Sequence, residues 1–311
     1  MGKRSRTRSR EQAADGEVGP RQPCPCGSGR RYKHCHGAPG GAAPVFVQRP
    51  LEGMPSECDL VALRELVPAA TAPLPLTGEH ADRSVQLCTL LPGAAPAMVR
   101  ESGEVWLGLQ VVHNFGDPSR DLAAVLLEAL GQSEAGPVGL GSDPGEGPRL
   151  QDLVADEPLR ITVHDGFDYW VADLPDSSEL AAALEQANDQ VDPTDRLTSV
   201  EAAYWTNVGS KEHLRWVMPE PEGQLLDALA RLHEADRDRL VPDSRLVGMF
   251  RAHGLLAPVW DLPVGTGAEA LEEPAERFAK DLAEALAEPA DLTAEQRSAR
   301  NGLANRQVTI R

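Results

Sequence analysis

Val85, Leu87, Thr89 and Leu91 fall at every second position, the period of a half-buried strand, and residues 105–112 form a second, strongly strand-like run. Asp117-Pro118 then opens a helix carrying Leu122, Val125 and Leu126. Proline suits its first position because the N–H it lacks would have no partner there. Residues 159–187 give the clearest copy of this order. Leu159, Ile161 and Val163 alternate with Arg160, Thr162 and His164, Asp165-Gly166 supplies hairpin chemistry, and residues 167–172 read as a return strand. After Pro175, Ser177 or Ser178 can cap a helix with Leu180, Leu184 and Ala187 at helical spacing.

Residues 200–232 repeat the theme. Leu214, Trp216 and Met218 alternate before a helix carrying Leu225, Leu226, Leu229 and Leu232, while Val200 and Tyr204 fit a strand or a helix. Residues 260–263 loosely echo residues 170–175 and precede a further helix, with Phe278, Leu282 and Leu286 on one face; repeated topology or internal duplication accounts for the echo. Thr293 with Gln296 three places on forms a capping box before a last, polar helix. Hairpins and helices in this order predict an α+β fold, an antiparallel or mixed sheet built from strand-strand-helix units. No glycine-rich phosphate loop occurs at any strand-to-helix turn.

The first 44 residues differ in kind. Residues 1–20 hold Val18 as their only sizeable apolar side chain besides Met1, too little to offset the entropy of ordering, and are expected to be a disordered basic tail. Residues 37–44 (GAPGGAAP) read as a linker. The expected organisation is a tail over 1–20, a small metal-binding segment over 21–38, a linker over 39–44 and an acidic α+β domain over 45–311. Charge divides the same way. Residues 1–36 hold nine Lys/Arg and three Asp/Glu, a net of +6, against −24 for the rest of a chain whose total is −18. No stretch reaches the roughly 18 consecutive apolar residues of a membrane span, and the basic start lacks an apolar core. No membrane association is expected, and the chain is expected in the cytoplasm.

Three of the five cysteines fall within twelve positions, which excludes a distributed disulfide scaffold and points to a metal site. The segment Pro23-Cys24-Pro25-Cys26-Gly27-Ser28-Gly29-Arg30-Arg31-Tyr32-Lys33-His34-Cys35-His36 spaces its donors as C-x-C, eight residues, C-H. Zinc favours such a mixture of thiolate and imidazole in a tetrahedron, and four protein ligands make a closed, structural site. Iron competes at thiolate-rich sites. Pro25 stiffens the first chelate, Gly27 and Gly29 let N–H groups turn toward sulfur, and Arg30, Arg31 and Lys33 offset thiolate charge. His34 is an alternative donor to His36.

This segment resembles the SEC-C motif, found at the C-terminal end of the SecA translocase and on many uncharacterised bacterial proteins. The match runs through Pro23-Cys24-Pro25-Cys26-Gly27-Ser28-Gly29, then Tyr32, then Cys35-His36. The resemblance implies Cys24, Cys26, Cys35 and His36 as the ligands of a zinc knuckle that docks on a partner protein and, in some members, contacts the ribosome. It covers about residues 22–38, sits at the opposite end from its place in SecA, and comes without the Walker A loop of that ATPase. The whole arrangement, motif first and one acidic domain after, is similar to a bacterial family of unknown function.

Other chemistry-bearing residues have plainer readings. Cys58 and Cys88 sit in helix-like and strand-like contexts and read as buried, inert thiols. Lys3, Arg4, Arg6, Arg8 and Arg10 are either a solubilising tail or a sequence-blind contact to RNA phosphate. Residues 113–117 and 164–168 each set a histidine and a carboxylate near a turn, where Gly, Asn and Asp serve turn chemistry before catalysis. No HExxH or GxSxG signature is present and no catalytic residue is assigned. Trp106, Trp170, Trp205, Trp216 and Trp260 occupy strand-like, core-packing positions. The leading expectation is a non-enzymatic zinc protein whose knuckle and basic tail dock the acidic domain to a protein or to ribosomal RNA. Two alternatives stand beside it: an enzyme with its site in 45–311, recruited by the knuckle, and a zinc segment that packs only on its own domain.

Overall fold

Two sheets divide the chain between them in a computed structural model that describes residues 21–22, 31–34, 46–111, 114–171 and 178–306. The first holds β1 (Ala70–Pro73), β2 (Val85–Cys88), β3 (Ala97–Val99), β4 (Val105–Gly108), β5 (Gly136–Val138) and β6 (Thr162–Val163) in the order β5-β3-β4-β2-β1-β6. It is mixed: β2 and β4 run parallel, from Val85 beside Val105 to Cys88 beside Gly108, and the other pairs are antiparallel. The second is wholly antiparallel, with β7 (Thr194–Arg196), β8 (Ala203–Asn207), β9 (Glu212–Trp216), β10 (Arg245–Ala252) and β11 (Leu255–Leu262) in the order β10-β11-β9-β8-β7. With its helices this is the α+β class that the alternation predicts.

Helix α1 (Glu57–Glu65) and helix α2 (Pro118–Gly131) belong to the first core. In α2 the spacing of Leu122, Val125, Leu126, Ala129 and Leu130 makes one apolar stripe, which packs on β3 and β4. Its start is where Asp117-Pro118 predicts: the Asp117 carboxylate accepts from Ser119 N (3.2 Å) and Arg120 N (3.4 Å), and Arg149 pairs with it at 2.8 Å. Helix α3 (Ser178–Asn188) follows. The second sheet carries helices α4 (Glu222–Glu234), α5 (Glu272–Ala287) and α6 (Ala294–Ala304) against one face, where Leu225, Leu229, Phe278, Leu282 and Leu303 meet Trp216 and Trp260. Each fully buried Leu or Phe on this seam contributes about 1.5–3 kcal/mol. The capping box at α6 is formed in both directions, Gln296 N to Thr293 Oγ1 at 3.2 Å and Thr293 N to Gln296 Oε1 at 3.0 Å. Among the described residues, no helix is long and apolar enough to cross a membrane.

The opposite face of the second sheet joins the first core, through Tyr204, Val217, Phe250 and Val259. A polar tie crosses the same junction. Asp59, in the first turn of α1 and 4 % exposed, accepts from Arg196 Nε and Nη2 (both 3.0 Å) and from the Tyr204 hydroxyl (2.7 Å). The hydrogen bond to Asp59 raises the Arg196 guanidinium pKa, while burial and then the Asp59 charge raise that of the Tyr204 phenol.

One local expectation fails. Asp165-Gly166 makes no hairpin, and residues 167–171 make no return strand; the last residue of that expected strand, 172, lies outside the described residues. Gly166 is not at the positive φ that such a turn needs, and a 3-10 turn runs over Asp168–Trp170. A strand would send Tyr169 and Trp170 to opposite faces. Here both donate to one acceptor, Leu90 O, at 3.0 Å and 2.9 Å, and Phe167 stacks on Trp170 with centroids 4.3 Å apart. The short β6 pairs instead with β1, Ala70 beside Val163. Trp170 is therefore the one tryptophan of the five outside a strand. The two-residue, doubly positive turn occurs at His253-Gly254 (φ 49° and 81°), joining β10 to β11.

Candidate functional site

Cys24, Cys26, Cys35 and His36 lie outside the described residues, as do the tail and the linker. Two flanks of the motif are described. Tyr32–His34 is a 3-10 turn, and Tyr32 N donates to Gln22 O at 2.8 Å. That bond joins the residue two before Cys24 to the residue three before Cys35, so the flanks of the two donor pairs meet. Among the described residues, no group of three or more His, Cys, Asp and Glu side chains is gathered as for a metal ion.

The chain enters the acidic domain at Phe46, and three contacts fix the next residues. Val47 N donates to Gly116 O (2.9 Å), Arg49 makes a two-pronged pair with Glu57 (2.7 and 2.9 Å), and the Gln48–Arg49 backbone lies against Gly254. A Cβ on Gly254 would stand 2.9 Å from Arg49 Cβ and 3.0 Å from Gln48 O, at a φ of 81°; glycine is what this approach allows. An open groove of about 470 Å³ runs along this root, lined among others by Phe46, Glu65, Asn114, Glu222, Arg251 and His253. Its wall comes from the end of α1, the entry to α2, the start of α4 and the β10–β11 turn, so it spans both sheets' territories.

The charges in the groove are paired across it. His253 Nε2 lies 2.8 Å from Glu65 Oε1, and this bond holds the Glu65 carboxyl below the usual range against the opposing effect of burial. Arg251 donates to Glu222 Oε1 from Nε (3.0 Å) and Nη2 (2.6 Å), which raises the Arg251 pKa. Phe46, 67 % exposed, stands at the mouth. Sequence reasoning missed this groove, because it depends on the His253-Gly254 turn reaching back to Arg49. The signal for the turn was present, two alternating runs over 245–252 and 255–262 separated by His-Gly.

The two polar clusters serve turns. Asn114 Oδ1 accepts from Gly116 N (2.8 Å) and Asp117 caps α2; His113 lies outside the described residues. Nearby, Asp121 is 6 % exposed and accepts from Phe115 N (2.8 Å); burial pushes its carboxyl up to about 6, with that hydrogen bond opposing. In the second cluster, His164 Nε2 meets Thr71 Oγ1 at 2.9 Å, burial lowers the His164 pKa, and Asn188 binds Phe167 N (2.7 Å) and Asp168 (3.1 Å). The two remaining thiols fit the inert reading. Burial pushes the half-buried Cys58 up to about 12, and raises Cys88, buried in β2, as well.

Comparison with known proteins divides at the linker. The SEC-C motif model matches residues 21–38. The chain is also similar to the "Protein translocase subunit SecA" of two Acidithiobacillus ferrooxidans strains, 71% identical over 24 residues, 8% of this chain and 3% of each relative. The SecA of Variovorax paradoxus is 67% identical over 27 residues, 9% of this chain and 3% of that protein. The likeness thus spans a small fraction of each relative's length. No solved structure matches. The domain on which the groove lies is matched as a whole, over residues 50–311, by a family described as a family of unknown function, and the chain belongs to that family, DUF5926.

Proposed function

We propose that residues 21–38 form a structural zinc knuckle held by Cys24, Cys26, Cys35 and His36, and that the knuckle and the basic tail dock the acidic domain onto a protein or ribosomal RNA partner in the cytoplasm. The observation that carries this is the SEC-C match over 21–38 with a donor at each of the four ligand positions. Three thiolates and one imidazole suit zinc, and the Tyr32–Gln22 bond fits a loop whose ends must come together around one ion. The metal would supply most of the folding energy of so small a segment, about 10–16 kcal/mol of apparent binding. Iron is the competing occupant.

The charge split supports docking: a +6 end joined by a Gly/Ala/Pro linker reaches a polyanion while a −24 body stays off it. In this reading residues 1–20 are the tail, 39–44 the linker and 45–311 the body. The groove favours a second reading, in which the knuckle seats on its own domain. The eight residues from 39 to 46 span at most about 29 Å, which keeps the segment within reach of the groove.

Elemental analysis of full-length protein purified without added metal tests the zinc site. About one zinc per chain, lost in the Cys24→Ser/Cys26→Ser variant, is expected; a metal-free native protein sinks the proposal. Sedimentation with ribosomes at low salt then tests docking, where absence of binding by zinc-loaded protein removes that partner. Deleting residues 1–40 separates the readings, since a drop in stability of the remainder favours the knuckle seated on its own domain.

A further inference from the structure

Strand β10 stands at the edge of the second sheet, with β11 on one side. The register shows which of its backbone groups face the other side. His253-Gly254 is a two-residue turn, so Ala252 and Leu255 exchange both hydrogen bonds, and alternation turns the N–H and C=O of Phe250 toward β11 and those of Met249 and Arg251 outward. Two bonds agree with this. Leu256 O, opposite Arg251, accepts from Met218 N (3.0 Å) away from β10, and Met249 N donates outward to Arg306 O (3.1 Å). Met249 O, Arg251 N and Arg251 O have no backbone partner among the described residues. The register shifts between Leu246 and Gly248, so the regular outward edge is residues 249–252, and an edge left open pairs with any strand that reaches it.

The chain arrives at this edge at Arg306, just past α6, which packs against β10. Arg306 N donates to Leu303 O (3.0 Å), so it does not return the bond to Met249 O that an antiparallel pair requires. A parallel pair requires no such return. There a residue donates to the carbonyl before its partner and accepts from the N–H after it, so the Met249–Arg306 bond sets Met249 beside Gln307, Phe250 beside Val308, Arg251 beside Thr309 and Ala252 beside Ile310. Residues 307–311 lie outside the described residues, but their sequence, Gln-Val-Thr-Ile-Arg, alternates in phase with that alignment. Apolar Val308 and Ile310 fall with Phe250 and Ala252, which pack on the first core, and polar Gln307 and Thr309 fall with Met249 and the exposed Arg251. A slip of one residue would reverse the match.

We propose that residues 307–311 add to β10 as a parallel edge strand, with Val308 N and Ile310 N donating to Met249 O and Arg251 O, and Val308 O accepting from Arg251 N. The reach suffices: residues 307–311 extend about 16 Å as a strand, against roughly 10 Å along residues 249–252. The added strand brings Ile310 beside Ala252, which lines the groove at whose mouth Phe46 is exposed, so residues 307–311 and the root of the N-terminal segment border one groove. The inference rests on neither the zinc site nor its docking.

Amide hydrogen exchange of the full chain, resolved to single residues by NMR, tests it, with the Phe250 N–H, which faces β11, as internal reference. Deleting residues 307–311 is expected to speed exchange of the Arg251 N–H about tenfold or more, and to change Phe250 by less than about twofold. Two full-length variants fix the register, and they carry the test should the shortened chain fail to fold, judged by its thermal transition. Val308→Pro removes the donor to Met249 O and should speed Arg251 exchange as the deletion does. Thr309→Pro removes an N–H that points away from β10 and should leave the Arg251 rate within about twofold. Equal Arg251 exchange in the full chain, the deletion and Val308→Pro overturns the proposal. So does Arg251 protection that survives the deletion and grows with protein concentration, which marks a second copy on the edge, and so does the reverse order of the two proline variants, which marks an antiparallel or slipped strand.

Discussion

Replacing Asp59 by alanine removes the acceptor of three hydrogen bonds that tie α1 to β7 and β8. Breaking a buried pair by deleting one partner costs about 3–5 kcal/mol, because the other charge stays behind. Here the charge left behind is Arg196, whose side chain is 27 % exposed, so water recovers part of the loss and the lower end applies, about 3 kcal/mol. The Tyr204 hydroxyl, on a residue only 1 % exposed, is orphaned at the same time. The converse deletion is expected to be worse. Arg196→Met leaves the Asp59 carboxylate, its side chain 5 % exposed, with the tyrosine alone, and should cost at least as much as Asp59→Ala. Tyr204→Phe removes one neutral donor to a charged acceptor, about 1.5–3 kcal/mol at most. Urea unfolding measures all three, and for a domain of this size the Asp59→Ala loss corresponds to a fall in Tm of roughly 6–12 °C. A cost below about 1 kcal/mol for Asp59→Ala, or a larger cost for Tyr204→Phe than for Asp59→Ala, would refute the reasoning.

Two further substitutions probe features of the root and its neighbourhood. Asp121 has its folded pKa raised to about 6 from 3.8, so the native state holds its proton more tightly than the unfolded chain, and stability is lost as pH rises from about 3.8 through 6. Asp121→Asn keeps an acceptor for Phe115 N and should stabilise the protein at pH 7.5 by at most about 3 kcal/mol, with the gain gone below pH 4; a less stable variant at pH 7.5 contradicts this. Gly254→Ala places a Cβ against Arg49 at positive φ and should cost about 2 kcal/mol in thermal or urea unfolding, whereas an unchanged transition would mean that the root is not held there.

What could be read from the sequence was what is local. The capped starts of α2 and α6 and the apolar stripes of α4 and α5 depend on residues a few places apart, and each is found where its spacing put it. The four proposed zinc donors are legible for the same reason, lying within thirteen positions. The hairpin expected at Asp165-Gly166 failed because Leu90 O, some eighty residues earlier, recruits both Tyr169 and Trp170. Asp59 looks like an ordinary acidic residue in a helix's first turn until Arg196, 137 residues on, meets it. The groove escaped notice likewise, since Glu65 and His253 are 188 residues apart.

The pairing of β6 with β1 has a consequence for synthesis. Ala70 is hydrogen-bonded beside Val163, so the first strand of the mixed sheet leaves the ribosome long before its partner exists. At roughly 5–20 residues per second the wait is on the order of 5–19 s, and Asp59 waits longer for Arg196. Throughout that interval one edge of β1 offers its N–H and C=O groups to any passing strand. The second sheet has no such delay, since β8–β9 and β10–β11 are hairpins that close on themselves. The sheet made first is thus the one that must wait for a distant closing strand, and a nascent chain stalled before residue 162 would expose an aggregation-prone edge of β1 that β6 covers in the finished protein.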